Sequence, residues 1–165
     1  MGTSATRPFD DDYLLAYSEE HVVYEVKMFL ALVAVREATI SSVSGGLIVL
    51  LKNAVIEATV LHLRNLIEFL YNDDPRPSDV VAGDFFTTPS WDTIRPEISE
   101  HLESSRRRAN KEMAHLTTGR RPSEDKAKRW DILRLREELM PVLRLFVDRA
   151  DPDKLAPGVA PMLEK

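Results

Sequence analysis

The stretch from about Leu47 to Tyr71 constrains this chain most. Leu51, Val55, Ala58, Leu63, Leu66, Ile67 and Leu70 recur there at helical spacing, and Asn72-Asp73-Asp74-Pro75-Arg76-Pro77 closes the run. A helix that long must bury its apolar side against something. No segment of the chain alternates apolar and polar residues as a half-buried strand would, so its partners are expected to be other helices.

Three further helices are expected. Ser18 suits an N-cap, with Glu19 and Glu20 at the positive end of the helix. Val22, Val26, Phe29, Leu30 and Val33 follow at helical spacing, ended by Ser41 to Gly46. Val23, Leu32 and Val35 fall outside that stripe, which predicts a helix that is central or packed on a partner. The third helix is expected to start near Pro96 and end at Gly119, with Ile98, Leu102, Ser105, Ala109, Met113 and Leu116 as its core stripe. Its small residues allow close approach of another helix. Pro122 and Ser123 are expected to open the fourth, which carries Trp130, Leu133, Leu139, Met140, Leu143, Phe146 and Val147. Pro141 inside it predicts a kink or restart. Residues 78–91 read as a connection with one helical turn, folded back through Phe85, Phe86 and Trp91. The expectation is an all-α four-helix bundle with a long connection between helices 2 and 3. Residues 1–17 form an N-terminal arm, 18–150 the helical domain, and 151–165, with Pro152, Pro157 and Pro161, a flexible C-terminal tail.

Charge is distributed unevenly. Residues 1–103 hold 7 Lys/Arg against 17 Asp/Glu, and residues 104–136 hold 11 against 4. A basic segment in an acidic protein suits either a polyanion or the acidic part of the same chain or of a second copy. The absence of cysteine excludes disulfides and thiolate–metal chemistry and fits a cytoplasmic setting. Met1 to Asp12 lacks the apolar core of a signal peptide, and the longest uncharged run, Ala38 to Leu51, is too short to span a bilayer. No phosphate-binding glycine loop is present. Glu112-Met113-Ala114-His115 supplies the Glu-x-x-His spacing of a metal site once only, so no metal or cofactor is expected.

The basic segment contains the chemically suggestive residues. On an ideal helical wheel, His101, Arg108, Glu112 and His115 form a polar strip beside the core stripe, whereas Arg107 and Lys111 point to solvent. Histidine exchanges protons near neutral pH, and the arginine fork matches a phosphate. Arg108 and His115, with Glu112 to orient them, suit metal-free RNA cleavage. The same residues also suit a structural role: His115 at a helix C-terminus and Arg108 paired with Glu112. On the second helix, Glu57, Arg64 and Glu68 share one face with Leu61 and are expected to form a polar network in which Glu68 or Glu57 neutralises Arg64. Glu57 or His62 reaching the Arg108/His115 site is the alternative.

Arg108, six intervening residues and His115, followed by Leu116-Thr117, resemble the motif of the HEPN superfamily (higher eukaryotes and prokaryotes nucleotide-binding domains). The resemblance covers roughly residues 18–150. It implies a small all-α homodimer in which Arg and His of both copies meet, acting as a ribonuclease toxin or defence protein with RNA and a cognate antitoxin or partner protein. Other members are non-catalytic interaction modules. Ala109 stands where the active members carry a polar residue, a departure that bears on the nuclease function more than on the fold.

Overall fold

The computed structural model describes residues 9–42, 46–114 and 130–164, and these are helical and loop throughout, with no strand among them. The first helical run begins earlier than expected. Asp10 caps α1 (Asp11–Tyr17) by accepting the Tyr13 N–H at 2.8 Å, with Asp11 and Asp12 in the first turn. The run passes through a π turn (Ser18–Val22) into α2 (Val23–Ser42). Residues 11–17 of the expected arm are therefore helix, because Asp10 rather than Ser18 provides the cap. Ser18 is fully buried in the π turn instead. Its hydroxyl donates to the Leu15 carbonyl at 2.9 Å and accepts the Ala156 N–H at 2.8 Å.

Helix α3 (Gly46–Tyr71) has the expected extent. It packs against α2 on one side and α5 (Glu100–Ala114) on another, and α5 in turn meets α6 (Ile132–Arg149). The connection after α3 behaves as its aromatics imply. A 3-10 turn (Ala82–Phe85) and the short α4 (Trp91–Ile94) bury Phe85 and Trp91 in a ring cluster with Phe69, Phe86 and Phe146. The Trp91 indole donates to the Leu70 carbonyl at 2.7 Å and so satisfies an acceptor at the α3 C-terminus.

Helix α5 starts at Glu100 rather than near Pro96, because Ser99 caps it by accepting the Leu102 N–H at 3.1 Å. The expected end at Gly119 and the Pro122/Ser123 start lie outside the described residues. Trp130 and Asp131 precede α6, and Asp131 caps it through the Arg134 N–H at 3.3 Å. Helix α6 runs through Pro141 without restarting; the ring sits on the exposed face. The described part of the segment expected as a flexible tail, residues 151–164, is packed. Leu155, Ala156, Val159 and Leu163 are buried, and Arg144 donates twice to the Leu163 carbonyl in α7 (Ala160–Leu163). Pro152 and Pro157 lie in turns, Pro161 lies in the first turn of α7, and the apolar residues between and after them supply the burial. Val23, off the α2 stripe, lies against Gly158 of this segment. Among the described residues no helix is long and apolar enough to cross a membrane.

Candidate functional site

Helix α5 carries the residues singled out by sequence and distributes them to two neighbours. Ser105 and Ala109 are buried within the chain, in its own helix packing, so the small-residue stripe is already occupied. The strip beside it faces α6. His101 Nδ1 lies 3.4 Å from Glu138 Oε1, a charge contact without the alignment of a hydrogen bond. Glu138 also accepts from Ser99 and, at 2.8 Å, from Arg134 Nε. Burial alone would raise the Glu138 pKa. The bonds from Ser99 and Arg134 and the charges of His101 and Arg134 outweigh burial and hold the carboxyl below its ordinary value.

Arg108 lies two turns further along. Its Nε donates to Glu112 Oε2 at 2.9 Å, and its guanidinium carbon stands 4.0 Å from the centroid of the Trp130 ring. Arg108 and Glu112 are thus brought together as expected. His115 lies outside the described residues. Arg107 is exposed and Lys111 solvated, as the wheel implies. Arg106 departs from that pattern. It turns inward to Glu103 at 2.6 Å and to Glu68 of α3 at 3.7 Å.

The opposite flank of α5 completes a relay with α3 and α2. Arg64 Nε donates to Asn110 Oδ1, and Arg64 Nη1 donates to Asn65 Oδ1 at 3.3 Å. Each asparagine then donates its amide N–H to a glutamate: Asn110 to Glu68 at 3.3 Å, and Asn65 to Glu25 at 3.2 Å. The other oxygen of Glu25 meets His62 Nδ1 at 2.7 Å. The two amides act as adapters, with oxygen toward the cation and nitrogen toward the anion, so donors and acceptors match at every link. Of the expected network, Arg64 and Glu68 are linked, through Asn110 rather than directly. His62 is committed to Glu25, away from Arg108. Glu57 is exposed and adds no contact to the relay among the described residues.

The relay forms one wall of a cleft of about 600 Å³ between the first helical run, α3 and residues 72–81, lined by Tyr17, His21, Glu25, Arg64, Glu68 and Asp79. The Tyr17 and His21 rings meet at 4.6 Å, tilted by 53°, with His21 carried by the π turn. Burial pushes the Tyr17 hydroxyl pKa up, and Tyr13, Glu25 and Asp79 add to the rise. The Phe9, Tyr13, Tyr17 and His21 ladder was legible as a spacing of four, but reading Ser18 as a helix start hid its continuity. Asn110, Glu25 and Arg106 had no sequence signal beyond their side-chain type. Among the described residues, no three His, Asp or Glu side chains gather as a metal site. Comparison with protein-family models, curated proteins and solved structures returns no match.

Proposed function

We propose that this chain is a non-catalytic helical interaction module, HEPN-like in its bundle of long helices, in which Arg108 holds the fold. One observation carries this reading. The Arg108 guanidinium lies against the Trp130 ring at 4.0 Å with its Nε on Glu112. A phosphodiester-cleaving arginine must present its planar fork to a phosphate from a water-filled cleft. Here the cation joins α5 to the segment that leads into α6, a contact worth about 0.5–2 kcal/mol. The large cleft lies elsewhere, along the relay, and Arg108 does not line it.

A cleavage assay on a mixed RNA pool tests the proposal, using wild type, Arg108→Ala and His115→Ala. All three are expected to be equally inactive, with a lowered melting temperature for Arg108→Ala. Cleavage by the wild type that both substitutions abolish at unchanged melting temperature would establish the RNA-cleaving alternative instead.

A further inference from the structure

The outer face of α3 changes character along its length. Beyond Asn65 it forms the wall of the polar cleft. Before that it is apolar and open to solvent: Leu47 is 70% exposed, Leu50 66%, Leu51 49% and Leu61 44%. Leu47, Leu51, Ala54, Ala58 and Leu61 are spaced by four, three, four and three residues, which is the seam repeat of a coiled coil. The core face of the same helix, marked by Ile48, Thr59, Leu63 and Leu66, lies on the other side. The seam is therefore additional to the packing that folds the chain.

We infer that a second copy of this chain docks antiparallel along this seam, α3 against α3. The pattern is self-complementary. With the two-fold axis level with Ile56, Ala54 of one copy faces Ala58 of the other, and Leu51 faces Leu61. Small residues meet at the centre, where the backbones approach, and leucines close both ends. Area supports the same occupant. The four leucines and Ala54 on α3, with exposed Tyr24 of α2 against the His62 ring, present on the order of 600 Å² of apolar surface, at the upper end for a patch on a monomer. Two such faces together bury roughly 1,200 Å², the lower limit of a specific dimer. The pairing brings Leu47 of the second copy opposite Asn65, at the rim of the cleft. This dimer deepens the interaction-module reading and rests on it for the partner's role, not for the geometry.

Sedimentation equilibrium and oxidative cross-linking test the inference. The wild type is expected to sediment at twice the 18.8 kDa chain mass. Leu51→Glu combined with Leu61→Glu is expected to raise the dissociation constant by about 100-fold or more. Both leucines are partly exposed, so circular dichroism should report unchanged helix. The chain has no cysteine, so Ala54→Cys/Ala58→Cys should form a disulfide-linked dimer on mild oxidation, whereas Val49→Cys, on another side of α3, should not. A monomeric wild type, a dimer indifferent to the glutamates, or equal cross-linking through Val49→Cys overturns the seam. A monomer without RNA cleavage removes the seam alone. A dimer whose RNA cleavage depends on Arg108 removes the module reading alone.

Discussion

The two flanks of α5 use similar side chains to different ends. Toward α3, Arg106 and Asn110 enter a relay in which Asn65 and Asn110 match Arg64 to Glu25 and Glu68. Toward α6, Arg108 and His101 make separate contacts, one with Trp130 and Glu112, the other with Glu138. The relay spans three helices and every member depends on the next. The contacts to α6 can be lost one at a time. An arginine beside a histidine on a helix is thus no measure of chemistry; what counts is whether its partners are themselves tied to one another.

Breaking the relay should cost most. Arg64→Met leaves the Asn65 and Asn110 amide oxygens without their donor and is expected to lower the unfolding free energy by about 2–3 kcal/mol, read from urea denaturation. A double-mutant cycle with Asn110→Leu should give a coupling of about 1 kcal/mol or more, whereas Arg108→Ala and His101→Ala should add to within about 0.5 kcal/mol. Additivity in the first cycle would show that the relay is only a set of pairs. On the other flank, Arg108→Ala alone should cost about 1 kcal/mol through the lost ring contact, and exposed Arg107→Ala within about 0.5 kcal/mol.

The smallest effect is a pH dependence at Glu138. Its carboxyl is held below the ordinary value in the folded chain. Its contribution is therefore fully present above the unfolded value and is lost as pH falls through the lower native value. Glu138→Gln should flatten that part of the acid limb of stability against pH. An unchanged limb would mean that Ser99, Arg134 and His101 do not favour the charged carboxylate.

Helix α3 was legible because its apolar period and the Asn72–Pro77 stop agree, and Phe85, Phe86 and Trp91 revealed that their connection folds back. Helix starts were less legible. Asp10 and Ser18, or Pro96 and Ser99, offer competing caps, and tertiary contacts such as Ser18 with Ala156 and Ser99 with Glu138 decide between them. In the candidate site, the Arg108–Glu112 pair followed from spacing. The asparagine adapters did not, since an amide's role depends on what arrives from another helix.

Ser18 has a consequence for how the chain is made. Its hydroxyl receives the Ala156 N–H across 138 residues of sequence. Leu14 and Val22, on the same helical run, belong to the core together with Leu155, Val159 and Leu163. During synthesis at roughly 5–20 residues per second, the start of this run waits on the order of 10–30 seconds for its cover. Until then its apolar side is open to chaperones and to other nascent chains.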